Sequence, residues 1–302
     1  MIKIEKINFK GYANSWQVSN GEVELVITGD IGPRVMRFGF PGGQNFFKEF
    51  TGQMGVTGEP AWQPRGGHRV WIAPEDIVKS YAPDNQSVSI DIQGDVLVAT
   101  APVEALTGIG KRITIRMAAS GTGVEVIHEL RNAGSEPYTL AVWALTMLAQ
   151  GGAGIHGFPP RGTHPEMLVP TNPLVMWAFT HLDDSRWSLS RKYLVLRQDP
   201  GNSLPQKLGA YNKNTWAAYH LNNELFIKRC QATEPASSFP DLGCTFETFT
   251  NADFLELETL GPLTTLAPGQ SVSHIERWSA HRNVSLTTWS DDELDATVNS
   301  LV

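Results

Sequence analysis

Two glutamates stand two positions apart in an alternating segment of this sequence. Residues 254–262 read FLELETLGP, so a strand here carries Glu256 and Glu258 on one face and leucines on the other. If the acidic face lines a pocket, like-charge repulsion and desolvation raise the pKa of at least one carboxyl group, which can then act as a general base. If the face is solvated, the two carboxylates only make the surface polar.

A glycine-flanked segment brings three further functional side chains together. Residues 66–71 read GGHRVW, and in a strand His68 faces one side while Arg69 and Trp71 face the other. The His68 ring titrates near neutral pH, and Arg69 offers a fixed positive charge to ligand oxygen atoms. A buried structural histidine is the alternative interpretation. Glu75, a few positions on, could close the same pocket or simply belong to a proline turn.

Two charged residues in predicted loops complete the set of candidates. Lys207 lies in LPQKLG and Asp241 in FPDLG, and loops carry many binding residues on rigid scaffolds. Lys207 could bind hydroxyl or anionic groups of a ligand, whereas a solvated lysine has no such role. Asp241 could contribute to a cleft or only form a turn.

Two segments resemble familiar motifs but lack the structural context or a residue that the motif requires. Residues 152–157 match GxGxxG, but the FPPRG that follows cannot begin the helix that would bind a pyrophosphate, so we interpret the segment as a glycine-rich loop leaving a sheet. His128 begins a segment like HExxH, but Asn132 replaces the final histidine and the segment alternates like a strand. We expect neither a metal nor a cofactor.

The candidate side chains must be positioned by strands. Period-2 alternation recurs along most of the chain, at intervals of roughly 10–20 residues, with turn residues between the runs. We predict strands at 193–197, 216–220, 225–229, 245–250, 254–259 and 272–278, among others. The pattern predicts an all-β fold, an antiparallel sandwich or barrel. No repeat or linker divides the chain, so we expect residues 1–302 to form a single domain.

The sequence predicts one helix, at the C-terminal end of the chain. Ser290 can act as its N-cap, with Glu293 three positions on to complete a capping box. Leu294, Val298 and Leu301 follow at helical spacing and form an apolar stripe. We therefore predict a short helix that docks on the β-strands.

Composition excludes several classes of function. The 302 residues carry a net charge of −7, which argues against nucleic acid and anionic membranes as partners. Residues 1–10 lack the apolar core of a signal peptide, and the longest apolar run, 140–149, is half of the ~20 residues that a membrane-spanning helix needs. We expect a soluble cytoplasmic protein in which Cys230 and Cys244 are buried free thiols. Nine tryptophans indicate a large core or a site that stacks on flat apolar faces such as sugar rings.

Three segments carry a family resemblance. Residues 24–46, residues 124–132 and the triplet Leu257-Glu258-Thr259 resemble the N-terminal hairpin, the central hairpin and the catalytic triplet of galactose mutarotase-like proteins. Residues 66–75 and 254–278 more closely resemble a little-characterised bacterial branch of that superfamily. The resemblance implies an antiparallel β-supersandwich with a sugar-binding cleft on the concave face of one sheet. Its partner would be a carbohydrate, either a small molecule or an oligosaccharide.

The resemblance also implies a mechanism that this sequence matches only in part. In aldose 1-epimerases a glutamate takes the proton of the anomeric hydroxyl and a histidine protonates the ring oxygen, without a cofactor. Glu258 corresponds to that glutamate. The strand that should carry the histidine reads LAVWALT, with Trp143 near the matching place. Either His68, His181 or Lys207 supplies the acid, or the protein does not catalyse mutarotation.

These considerations define a predicted site and three functions. Glu258 and His68 are the predicted catalytic residues, and the predicted substrate-binding residues are Arg69, Trp71, Trp143, Lys207, Asp241 and Glu256. Trp143 could stack on a pyranose ring or belong to the core. The functions are a cofactor-free epimerase, a non-catalytic sugar-binding or sensing protein, and a glycan-cleaving enzyme, which needs a second acid/base at a defined distance. The oligomeric state is left open.

Overall fold

The computed structural model describes residues 1–302 and arranges the chain almost entirely in β-strands. One short α-helix and two 3₁₀ turns accompany the strands. In chain order the elements are β1 (Lys3–Phe9), β2 (Tyr12–Ser19), β3 (Glu24–Thr28), β4 (Arg34–Gly39), β5 (Gly67–Ala73), β6 (Ser89–Gln93), β7 (Val96–Thr100), β8 (Ile109–Met117), β9 (Val124–Asn132), β10 (Tyr138–Leu148), β11 (Ala153–Gly157), β12 (Leu174–Met176), β13 (Trp187–Leu189), β14 (Tyr193–Arg197), β15 (Gln206–Ala210), β16 (Trp216–Leu221), β17 (Glu224–Arg229), β18 (Phe246–Thr250), β19 (Leu255–Leu260), β20 (Thr264–Leu266), β21 (Ser271–Arg282) and α1 (Asp291–Thr297).

The strands form two antiparallel sheets. Sheet I has eleven strands in the order β1-β2-β3-β4-β5-β10-β19-β18-β15-β12, with β20 paired to β10. Sheet II has ten strands in the order β13-β14-β11-β16-β17-β21-β9-β8-β7-β6. The predicted all-β antiparallel architecture is confirmed. The six strands predicted individually correspond to β14, β16, β17, β18, β19 and β21, with small shifts at their ends.

Alternate residues of facing strands fill the space between the sheets. Leu255 and Leu257 of β19 and Val70 of β5 are buried in this core, on the faces that alternation predicts. Phe38 of sheet I meets Trp278 of sheet II with ring centroids 5.6 Å apart. Burying one such aromatic side chain contributes on the order of 2–3 kcal/mol. The core therefore fixes which face of each strand is turned outward, and the outward face of sheet I carries the site described below.

Residues 153–157 of the glycine-rich segment form a strand rather than the loop that the sequence predicted. β11 pairs with β14 and β16. A Cβ atom at Gly157 would lie 2.5 Å from the ring of Trp216, and one at Gly154 would lie 3.0 Å from the side chain of Leu257. The glycines are therefore required because neighbouring side chains pack directly on the strand backbone, not because the chain turns.

The predicted C-terminal helix is present as α1. Ser290 caps it by accepting a hydrogen bond from the backbone N–H of Glu293. The Glu293 carboxylate accepts the backbone N–H of Trp289 at 2.7 Å, not that of the cap residue Ser290, so the second bond of the predicted capping box is displaced by one residue. Leu294 and Val298 are buried in a second apolar cluster formed mainly by sheet II. Docking of this apolar stripe compensates for the short length of the helix.

Two further observations concern the chain as a whole. Both cysteines are free and buried, as predicted. The structure has no helix with the length and apolar character needed to cross a membrane.

Candidate functional site

Strand register gathers residues from five distant segments on the outward face of sheet I. Strands β5, β10, β19, β18 and β15 are consecutive neighbours. One row across them aligns Arg69, Leu145, Glu258 and Glu247. A neighbouring row aligns Met147, Glu256, Phe249 and Lys207. Because residues two apart in a strand share a face, both rows point away from the core between the sheets.

A cavity of about 470 Å³ opens over these rows. Its walls are largely aromatic, with a few charged side chains among the rings. The lining residues are Phe50, Trp62, Pro64, Arg69, Trp71, Glu75, Tyr81, Trp143, Leu145, Met147, Trp177, Phe179, Lys207, Phe249, Asn251, Asp253, Phe254 and Glu256. A wider recess of about 820 Å³ lies beside β21, but none of its ionisable residues is buried. The aromatic cavity is the one that combines enclosure with buried charge, as small-molecule sites do.

Arg69 lies in the cavity wall and packs against two aromatic rings. Its guanidinium carbon lies 4.2 Å from the ring centre of Trp71 and 5.3 Å from that of Trp62. Its Nη2 atom is 3.5 Å from Oε1 of Glu256, while Nε and Nη1 have no hydrogen-bond partner. Burial lowers the pKa of Arg69 to about 10, so the group stays charged at neutral pH. This arrangement leaves a fixed cation with free donors beside the cavity.

Lys207 lies on strand β15, not in the loop that the sequence predicted, and it pairs with two carboxyl groups. Its Nζ atom is 2.7 Å from Oε2 of Glu247 and 3.1 Å from Oε2 of Glu258. Burial acts to lower the pKa of Lys207, but Glu247 and Glu258 outweigh it and raise that pKa above its ordinary value. Burial raises the pKa of Glu247 well above its ordinary value, against the opposing effect of Lys207. The indole N–H of Trp143 donates to Oε2 of Glu258 at 2.8 Å.

Glu256 is the carboxyl group of β19 that reaches the cavity. Burial, followed by the charge of Glu258, raises the pKa of Glu256 to about 7, although Arg69 and Lys207 act to lower it. Glu258 is fully buried and does not line the cavity. A carboxyl group that titrates near neutral pH is well suited to give and take protons.

His68 does not share the cavity with the other candidates. It lies on the face of β5 opposite Arg69 and is fully buried between the sheets. Burial and then the neighbouring ring of His128 hold its pKa well below the ordinary value. The physical reason is strand alternation, which separates His68 from Arg69 however close they are in sequence. His68 therefore does not line the cavity and cannot donate a proton to a ligand bound there.

His68 instead belongs to a hydrogen-bonded chain inside the core. Nδ1 of His128 lies 3.0 Å from the carbonyl oxygen of His274, which can only accept, so Nε2 of a neutral His128 is an acceptor. Nε2 of His68 then donates to it at 2.6 Å, and Nδ1 of His68 accepts from the hydroxyl of Thr146 at 2.8 Å. Lys228 donates to the same hydroxyl oxygen at 3.0 Å. The order of donors is consistent with neutral histidines, as their lowered pKa values require.

Glu276 ends this core cluster. Its Oε1 atom lies 2.6 Å from Nζ of Lys228 and accepts the hydroxyl of Thr259 at 2.5 Å. Glu276, His68 and His128 carry ligand atoms of the kinds that bind metals, all within 4.8 Å of one another. Each of these atoms already has a partner within the protein. The ammonium group of Lys228 provides the positive charge next to Glu276, where a metal ion would otherwise provide it.

The remaining predicted residues divide into two groups. Trp71, Trp143 and Glu75 line the cavity, and Glu75 accepts the hydroxyl of Tyr81 at 2.6 Å. Asp241 does not line it but lies in a turn with φ of 51°, where burial raises the pKa of its carboxyl group. His181 is exposed and does not line it either.

Sequence reasoning missed most of the cavity lining and one floor residue, and four of the missed residues contribute the polar or large aromatic side chains described above. They are Trp62, Tyr81, Trp177 and Glu247. Glu247 shows a usable signal, since alternation in the strand TFETF turns it away from Phe246, which is buried in the core between the sheets. The other three lie in irregular segments without periodicity, so only the folded chain reveals their positions.

Comparison with solved structures identifies the fold. A galactose mutarotase-like protein from Lactobacillus casei has a TM-score of 0.57 at 11% identity and covers 88% of this chain and 99% of its own. A galactose mutarotase related enzyme from Lactobacillus acidophilus has a TM-score of 0.56 at 9% identity, with coverage of 89% and 98%. This chain has the galactose mutarotase-like fold. A protein from Synechocystis sp. PCC 6803 has a TM-score of 0.58 at 11% identity, with coverage of 92% and 99%.

At these low sequence identities, the structural likeness establishes the fold alone. No protein-family model matches the chain, and no curated protein is similar to it in sequence. A fold can host many functions, so the ligand and the reaction must be argued from the cavity itself.

Proposed function

We propose that this protein binds a carbohydrate in the aromatic cavity. The observation that carries the proposal is the presence of tryptophan rings, a buried guanidinium and a buried carboxyl group in one cavity. Indole faces pack well on the C–H faces of pyranose rings, and buried polar groups orient the hydroxyl groups. The volume of about 470 Å³ lies within the range of small-molecule sites, roughly 300–1,000 Å³. The shared fold with mutarotase-like proteins supports this choice of ligand.

Within this proposal, Glu256 is the group that exchanges a proton with the sugar. In anomer exchange, the anomeric hydroxyl loses a proton, the bond between C1 and the ring oxygen breaks, and the ring oxygen gains a proton; Glu256 moves one of these protons and water moves the other. The aldehyde group then turns about the C1–C2 bond, and closure of the ring reverses both transfers to give the other anomer. Glu256 lines the cavity and titrates near neutrality, whereas Glu258, the base implied by the family resemblance, lies beneath the floor with Oε2 bonded to Trp143. Glu258 then contributes to proton exchange indirectly, because its charge raises the pKa of Glu256.

The test combines a binding measurement with a rate measurement. Calorimetry with a panel of free aldoses, acidic sugars and oligosaccharides should show saturable binding to at least one. Two-dimensional exchange NMR should show faster anomeric exchange of the bound aldose, and Glu256→Gln should abolish the acceleration. Glu129→Gln, a carboxylate of sheet II, serves as the matched control and should leave both measurements unchanged. Absence of binding across the panel at high protein concentration would refute the proposal.

A second candidate, non-catalytic sugar binding, is favoured by one observation. No histidine lines the cavity, and Trp143 occupies the strand that should carry the acid. Saturable binding without faster anomeric exchange would select this candidate over the epimerase.

A further inference from the structure

The charges around the cavity are unequally compensated. Lys207 has carboxylate oxygens at 2.7 Å and 3.1 Å, whereas the nearest carboxylate oxygen to Arg69 lies at 3.5 Å. Arg69 is only 2% exposed, so water does not make up the difference. Its Nε and Nη1 atoms, which carry three of the five guanidinium N–H bonds, have no partner. A buried cation with unused donors has a large gain available from a suitable ligand.

The surroundings of Arg69 hold these donors in place. Trp71 and Trp62 both pack against the guanidinium, so its plane cannot turn freely. The indole N–H of Trp62 is also buried without a partner in the same cavity wall. The wall therefore contains two neighbouring groups, the Arg69 guanidinium and the Trp62 indole, whose N–H bonds have no acceptor within the protein. A ligand that meets both must be rich in acceptor oxygens.

We propose that the carbohydrate bound in this cavity is acidic, and that its carboxylate pairs with Arg69. The inference rests on the proposed function, because it specifies the class of sugar. A hydroxyl group accepts from one N–H but adds no counter-charge to that of Glu256, whose nearest oxygen lies 3.5 Å from Arg69. A carboxylate accepts several N–H bonds and supplies that charge. A monoanion fits better than a phosphate dianion because Lys207 is already engaged by two carboxyl groups.

Glu256 determines how such a ligand binds. A ligand carboxylate beside Arg69 also approaches Glu256, and two adjacent carboxylates cannot both stay charged at low cost. Burial already raises the pKa of Glu256 to about 7. The charged and titratable groups around it are Arg69 from β5, Lys207 from β15, Glu258 from β19, Glu75 and Tyr81 from the segment after β5, and Asp253 from the segment before β19. Glu256 therefore takes up a proton as the acidic sugar binds, and in this form it is the group that gives a proton to the ring oxygen in the proposed exchange.

The experiment compares matched acidic and neutral sugars by calorimetry. The probes are D-galacturonate and D-glucuronate against D-galactose and D-glucose, at about pH 8 in two buffers that differ in ionisation enthalpy. We expect a uronate to bind at least about tenfold more tightly than its neutral counterpart, with uptake of about one proton. Arg69→Gln should remove the preference. Glu256→Gln should remove the proton uptake, and this second variant gives an independent readout if Arg69→Gln does not fold.

Controls and contrary outcomes separate this inference from the proposed function. Arg112→Gln removes an arginine of sheet II and should leave the preference intact. Equal binding of neutral sugars and uronates overturns the acidic-ligand inference while the proposed function stands. Binding of uronates without proton uptake overturns the role given to Glu256. Absence of binding by all four sugars and by the wider panel overturns both proposals.

Discussion

The ion pair between Lys228 and Glu276 offers a sharp test of how the core is stabilised. Both side chains are fully buried, with Nζ of Lys228 2.6 Å from Oε1 of Glu276. Nζ also donates to Thr146 Oγ1 and to the carbonyl oxygen of Leu257, each at 3.0 Å. Burial acts to raise the pKa of Glu276, but Lys228 outweighs it and lowers that pKa below its ordinary value. Lys228→Met removes the ammonium and keeps most of the apolar chain.

The magnitude follows from what Glu276 does once Lys228 is absent. An unpaired buried carboxylate escapes its penalty by taking a proton. For a carboxyl group with an ordinary pKa of about 4.3, protonation at about pH 7 costs roughly 3.7 kcal/mol, and at about pH 5 roughly 1 kcal/mol. This agrees with the loss of about 3–5 kcal/mol that follows when one partner of a buried pair is removed. We therefore expect Lys228→Met to lower the free energy of unfolding by about 4 kcal/mol at pH 7 and by much less at pH 5.

Urea denaturation followed by circular dichroism measures this difference. The slope of the transition should stay constant, so the midpoint reports the free energy. The double variant Lys228→Met with Glu276→Gln carries no unpaired charge and should recover most of the loss at every pH. A loss below about 1 kcal/mol at pH 7, or one that does not change with pH, would refute the reasoning.

Three further predictions concern the cavity floor and the helix. The folded chain binds the proton of Glu256 more tightly than the unfolded chain, so the free energy of unfolding should fall by roughly 3 kcal/mol as pH rises from about 4.5 to about 7. Urea titrations at several pH values should show a smaller fall of the free energy of unfolding with pH in Glu256→Gln, and the same pH dependence in both proteins would contradict the prediction. Trp143→Phe removes the N–H that Glu258 accepts and should cost about 1.5–3 kcal/mol in urea denaturation. If the free-energy losses of Trp143→Phe and Glu258→Gln simply add in the double variant, the hydrogen bond between these two residues contributes nothing. Ser290→Ala should cost about 1 kcal/mol and speed amide exchange in α1, whereas Ser290→Asp should not; unchanged exchange in the alanine variant would argue against the cap.

Much of the fold could be predicted because strand alternation is a local property of the sequence. Alternation correctly placed Glu256 and Glu258 on the same strand face, and His68 and Arg69 on opposite faces. The glycine-rich β11 was mistaken for a loop, since the reason for its glycines is contact with Trp216 and other side chains far along the chain. Local patterns carry no information about such contacts.

The site was harder to predict because its charges are balanced across strands. Glu258 is fully buried, which a single strand with two acidic residues does not indicate. Its burial is tolerable only because Lys207, two strands away in sheet I, provides the counter-charge. His68 looks like a catalytic residue in sequence, but partners from β9 and β10 occupy both its nitrogens. Pairings of this kind depend on register over the whole sheet.

The aromatic wall of the cavity has a practical consequence for experiments. Four of the chain's nine tryptophans, Trp62, Trp71, Trp143 and Trp177, line the cavity. Indole emission responds to nearby charge and to exclusion of water, and two of these rings lie within 5 Å of the ammonium of Lys207. A molecule that enters the cavity must alter the surroundings of nearly half the fluorophores at once. The unlabelled protein therefore carries its own optical reporter of occupancy.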